Sequence, residues 1–195
     1  VINFIAGDLV HYKSLDNLKR NKKLYEIVEK SILYNNASVY NDKHIAIGGN
    51  ITDRALLNYI NSNFDSKIIK TNIIPFDSKD KYSLTEINND LVLIKGASEK
   101  IIPYCNSYYD NFGRKIAIPD KKNILSAIDK YTKEGIRVLV LAIKDKETRN
   151  IEFRNLVLVG IILIKDDIRS ETCEAINLVN SAHIQTIMIT GDEHY

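Results

Sequence analysis

Cysteine is scarce in this chain. Its two cysteines, Cys105 and Cys173, stand far apart, where a secreted disulfide scaffold carries more in a patterned spacing. Reduced thiols in a cytosolic compartment are therefore expected. An excess of one charge is also lacking. The 27 Lys and Arg against 25 Asp and Glu leave a net charge of +2, too small for the electrostatic footprint of a nucleic-acid or membrane-surface protein. Long apolar runs are absent too. The longest, residues 156–164, is nine residues, short of a membrane-spanning helix. Residues 1–8 have no basic region and no long apolar core, which excludes a signal peptide. His11, His44, His183 and His194 make no metal-ligand spacing with one another or with the cysteines, and all four are expected on the surface or in loops. Neither a Gly-x-x-x-x-Gly-Lys phosphate loop nor a Gly-x-Ser-x-Gly elbow occurs, so a bound nucleotide would sit outside those folds.

What is present is the composition of an ordinary globular protein, 45% hydrophobic and 27% charged over 195 residues. That length suits one large domain, or one domain and part of a second. Residues 1–12 read as strand, turn and strand around Gly7-Asp8. A helix is expected from Asp16 towards Asn35, with Leu24, Ile27, Val28 and Ile32 on one face. Residues 45–49 read as a loop, and Thr52 as the N-cap of a short helix. Residues 68–87 read as two strands broken at Pro75. A strand over 91–95 ends at Gly96, and Ser98 is placed to cap the helical segment that follows. Asp120 caps a helix that stops at Gly135, before a strand over 136–143.

From residue 156 the character changes. The continuous apolar run 156–164 suits a strand buried on both faces. A helix near 169–182 and a strand over 184–189 would complete a βαβ unit. The expected fold is thus α+β, an antiparallel sheet flanked by helices over 1–155, then a βαβ fragment over 156–195.

Several residues stand where chemistry is carried. Thr190-Gly191-Asp192 closes the last expected strand, the edge at which open α/β sheets place ligands; it is a phosphate or Mg²⁺ site or only a turn. Asp166-Asp167-Ile168-Arg169 follows the preceding strand, as an acid with a phosphate clamp or as a solvated loop capping a helix. Lys95 beside Gly96 could reach a phosphate, or be a solvated lysine. Phe76 is a stacking ring or a core residue. Arg137 is a phosphate contact or an edge charge.

In order, these segments resemble the P-type ATPases, in particular their calcium-pump-like branch, over nearly the whole chain. Residues 74–83, Ile-Pro-Phe-Asp-Ser-Lys-Asp-Lys-Tyr-Ser, resemble the family's Phe-centred adenine segment. Lys95-Gly96-Ala97-Ser98-Glu99 resembles its Lys-Gly-Ala-(Pro)-Glu motif, and residues 135–142 its Gly-x-Arg-x-Leu-x-x-Ala strand. Asp166 to Arg169 is similar to its Asp-x-x-Arg hinge, and Thr190-Gly191-Asp192 to its Thr-Gly-Asp motif.

The resemblance implies a nucleotide-binding domain over 1–155, the first ten or so residues being a linker, and part of a Rossmann-like, haloacid-dehalogenase-type phosphorylation domain over 156–195. It implies ATP and Mg²⁺ as ligands. Phe76 would stack on adenine, and Asp53 would read its amino group from the place of the family's glutamate. Lys81 and Lys95 would neutralise phosphate, Gly96 would admit it, and Arg137 would clamp it. Thr190 and Asp192 would meet the γ-phosphate and Mg²⁺ in support after domain closure, and Asp166, Arg169 and Gly191 would belong to the nucleotide site with them. The implied partners are ATP and the remainder of the same pump, with no nucleic acid, the fragment being monomeric. The parent would lie in the membrane with this part on the cytoplasmic side. The family's Asp-Lys-Thr-Gly-Thr and Gly-Asp-Gly-x-Asn-Asp segments do not occur, so the chain is expected to bind nucleotide as an excised piece and turn nothing over. A haloacid-dehalogenase-type phosphatase fragment and a non-catalytic nucleotide-binding module are the alternatives.

Overall fold

The computed structural model describes residues 3–145, 153–165 and 170–187. A nine-stranded sheet dominates. Its main path runs β2 (His11–Tyr12), β1 (Asn3–Ala6), β11 (Leu156–Ile164), β10 (Arg137–Asp145), β7 (Leu91–Gly96), β6 (Tyr82–Ile87) and β5 (Lys70–Ile74). Two further strands, β8 (Cys105–Tyr109) and β9 (Lys115–Ala117), extend from β11 beside this path. A separate two-stranded hairpin joins β3 (Ser38–Tyr40) to β4 (Ala46–Gly48), and β4 falls in the stretch 45–49 that the sequence suggested was loop.

Both faces of the sheet are covered, and side-chain alternation shows how. On one face Leu93 and Leu141 pack with Leu24, Val28 and Ile32 of α2 (Lys22–Tyr34) and with Leu56, Leu57 and Ile60 of α3 (Ile51–Ile60). Their neighbours Val92, Ile94, Val140 and Ala142 point the other way. There they meet Ile101 of α4 (Ser98–Ile101) and Ile124 and Ile128 of α5 (Lys122–Lys133). Successive strand residues face opposite sides, so β11, covered on both faces, is apolar along its whole length.

The helix boundaries are set by side-chain caps. The single helix expected from Asp16 is two, α1 (Leu15–Lys19) and α2, because Ser14 caps the first and the Asn21 side chain accepts from Leu24 N at 3.2 Å to start the second. Asn50, not Thr52, caps α3 by accepting from Asp53 N at 2.8 Å. Ser98 makes no cap bond, and Ala97 occupies the cap position of α4. Asp120 takes the Lys122 N–H at 2.9 Å, one residue before the formal cap of α5.

The largest departure concerns 156–164. Here β11 is no part of a separate parallel sheet. It pairs antiparallel with β1 and β10, and parallel only with β8 over Leu156–Leu158. Both its edges are filled and all nine residues are buried. The chain accordingly divides after Ile164, not before Leu156. Within the stretch expected as linker, residues 3–6 form β1, which lies hydrogen-bonded between β2 and β11. In the second unit, 165–195, α6 (Thr172–Ser181) forms where a helix was expected, with no buried residue. Of the strand expected over 184–189, residues 184–187 hold no regular structure and the rest lie outside the described residues. His11, His44 and His183 are exposed, as the sequence suggested. Cys105 and Cys173 are both free.

Candidate functional site

Where α2 ends and α3 begins, both helices stand over β6 and β7. The polar side chains that meet there are held by backbone geometry. Asn35, the C-cap of α2, is buried; its amide donates to the carbonyls of Ser83 and Leu93, each at 3.2 Å, and accepts from Thr85 Oγ1 at 3.3 Å. It thereby ties a helix end to two adjacent strands. Asn36 donates to the Asp53 carbonyl at 3.0 Å, fixing the first turn of α3 against the same point. The Asp53 side chain meets Lys95, which the antiparallel register sets opposite Ser83. Lys95 Nζ and Asp53 Oδ1 form an ion pair, and the two residues are only 6% and 5% exposed. Burial pushes the Lys95 ammonium below the usual lysine range, and Asp53 offsets part of that fall.

A cleft of about 340 Å³ opens over this pair, within the usual size of small-ligand sites. Asn35, Asp53, Lys70, Phe76, Thr85 and Lys95 are among its lining residues. Phe76 follows the edge strand β5 and is 53% exposed, so it is no core residue. An exposed ring at a cleft with a buried charge pair offers a stacking surface beside groups that can hydrogen-bond. The described residues contain no group of three or more His, Cys, Asp or Glu that could hold a metal ion.

Phe76, Asp53 and Lys95 are thus brought together. Lys81 and Arg137 are not among the cleft's lining residues. Lys81 pairs with Glu99 at 3.1 Å, both side chains more than half exposed. Exposed Arg137 donates from Nη1 to Thr52 Oγ1 at 3.0 Å, one residue from Asp53. Gly96 serves close packing, since a Cβ there would meet the Lys81 carbonyl and lie 2.7 Å from Tyr82 Cα. Asp166, Arg169, Thr190, Gly191 and Asp192 lie outside the described residues. The sequence offered Asn35 and Asn36 only as a helix stop, because a tie from a helix end to a sheet leaves no periodic signal.

The antiparallel sheet, its flanking helices and the cleft with the buried lysine–aspartate pair make this an α+β domain. Residues 23–171 match the family model described as P-type ATPase, cytoplasmic domain N, and the chain belongs to that family. It is similar to calcium-transporting ATPase 1 of Bacillus cereus, with 30% identity over 93% of this chain and 22% of the relative. Calcium-transporting ATPase 1 of Saccharomyces cerevisiae is 32% identical over 92% of this chain and 22% of its own length. A sodium/potassium exporting P-type ATPase of Schizosaccharomyces pombe is 33% identical over 66% of this chain and 12% of its own. The chain therefore spans about a fifth of the length of the curated relatives it matches. No described helix is long and apolar enough to cross a membrane.

Proposed function

We propose that the cleft binds an adenine nucleotide, and that the chain is the ATP-binding part of a cation pump whose other parts carry out phosphoryl transfer and transport. The observation that carries this reading is the buried Lys95–Asp53 pair in one cleft with exposed Phe76. Phe76 takes one face of the adenine, a contact every base can make. Asp53 and Lys95 present a carboxylate oxygen and ammonium hydrogens to the base edge from a site with little water, where such bonds gain strength. Lys81 and Arg137, exposed and held by Glu99 and Thr52, stand ready to exchange those partners for phosphate oxygens when the parts of the pump close together.

The proposed pump uses ATP with Mg²⁺, and its γ-phosphate passes to an aspartate. This chain contains no Asp-Lys-Thr-Gly-Thr segment, so it is assigned binding and not turnover. Residues 165–195, with Thr190, Gly191 and Asp192 and the pair Asp166 and Arg169, are assigned to the phosphorylation domain. Calcium is the proposed cation, being the ion in the names of the Bacillus and Saccharomyces relatives. The nucleotide domain would stand on the cytoplasmic side of the membrane.

Titration calorimetry with ATP and ADP tests the cleft. Both bind the unaltered chain, and Phe76→Ala loses about 1–2 kcal/mol, the scale of one base–aromatic stack. Failure of the unaltered chain to bind either nucleotide overturns the reading.

A further inference from the structure

The charged residues lining the cleft are one aspartate, Asp53, and two lysines, Lys95 and Lys70. Lys70 owes its place to a bulge in β5. This strand pairs with β6 as Ile74 with Leu84, Ile73 with Thr85 and Asn72 with Glu86. Regular continuation would set Thr71 opposite Ile87. The register shifts instead, and Lys70 stands opposite Ile87. It thereby joins the side of the ladder that carries Thr85 and Ser83 and, one strand further, Lys95. The displaced Thr71 turns its hydroxyl to the Glu86 carbonyl at 3.4 Å. Bulges of this kind re-aim a side chain and recur beside binding sites.

The other cations near the cleft are already engaged. Lys95 is paired with Asp53, Lys81 with Glu99, and Arg137 is bonded to Thr52. Among the described residues no carboxylate forms an ion pair with Lys70. We propose that Lys70 is a further nucleotide-binding residue, whose uncompensated charge in the cleft holds the phosphate chain while Phe76 takes the base. The inference rests on the nucleotide reading of the same cleft. Partial desolvation, and then repulsion from Lys95, push the Lys70 ammonium below the usual lysine range. An anion seated beside it would relieve the repulsion.

The test compares adenosine, ADP and ATP on the unaltered chain, Lys70→Gln and Lys70→Arg, by calorimetry at low and moderate salt. Lys70→Gln is expected to bind adenosine as the unaltered chain does. It should bind ADP and ATP about fivefold more weakly, the upper scale of one screened charge contact. Lys70→Arg restores the affinity, and the salt dependence of ADP binding shrinks in Lys70→Gln. The unfolding midpoint should not move, since Lys70 is exposed on an edge strand. Equal weakening of adenosine and ADP, or no weakening of either, overturns the role of Lys70 and leaves the nucleotide cleft standing. Absence of adenosine, ADP and ATP binding by the unaltered chain overturns the cleft reading and this inference with it.

Discussion

At the scale of single residues, the Lys95–Asp53 pair sets the energetics of the site. Two buried charges that neutralise each other contribute little net stability, yet either alone is costly because its desolvation is no longer repaid. Asp53→Ala should therefore lower stability in urea unfolding by about 3 kcal/mol. The double variant Asp53→Ala with Lys95→Met should recover most of that loss. Additive losses in the cycle would show that the two charges are not coupled. Asp110 makes a different electrostatic contribution. Desolvation pulls its pKa upward, but the backbone N–H and guanidinium of Arg114 and the backbone N–H of Phe112 outweigh it and hold the carboxyl below the usual aspartate range. The folded state thus binds its proton less readily than the unfolded chain does. The resulting stability is fully present above the ordinary aspartate pKa of about 4 and is lost as pH falls through the lowered value. Asp110→Asn should flatten the acid limb of a stability–pH curve. An unchanged limb would place the acid sensitivity elsewhere.

At the scale of elements, the middle of β11 decides how the sheet fits together. The register with β10 passes from Leu141 opposite Gly160 to Ala142 opposite Leu158, so β11 bulges at Val159 and Gly160. The bulge inverts the alternation. Val157 and Val159 share a core with Ile162 and Ile164, while Leu156 and Leu158 share the other with Ile161 and Leu163. Gly160 lies under the Phe4 ring, and a Cβ there would also stand 2.6 Å from the Ile5 carbonyl. A ring can tilt, but the carbonyl belongs to the paired strand β1. Gly160→Ala should therefore displace β1 and cost about 2 kcal/mol, the middle of the overpacking range. Wild-type stability in thermal unfolding would show that β1 is not held where the pairing places it.

At the scale of the whole molecule, the division after Ile164 is testable by hydrogen exchange. The amides of β11 should be protected as strongly as those of β10, because it is paired on both edges and buried along its length. Those of α6, a helix with no buried residue, should exchange far sooner. Early exchange throughout β11 would restore the boundary to residue 156.

Local pattern in the sequence was enough to locate α2, since Leu24, Val28 and Ile32 repeat at helical spacing and are buried. It was enough to mark strands at 91–95 and 156–164, because apolar runs of that length between turns are strands in an α+β chain. The family motifs named Phe76, Asp53 and Lys95 one by one. Three things lay beyond any local pattern. A strand buried on both faces reads the same in a parallel or an antiparallel sheet, so only the pairing partners decided that β11 lies between β10 on one side and β1 and β8 on the other. The pairing of Lys95 with Asp53 depends on a strand and a helix start 42 residues apart. The bulge that brings Lys70 to the cleft is a property of strand register, which no single segment carries and which exists only once β5 has closed against β6.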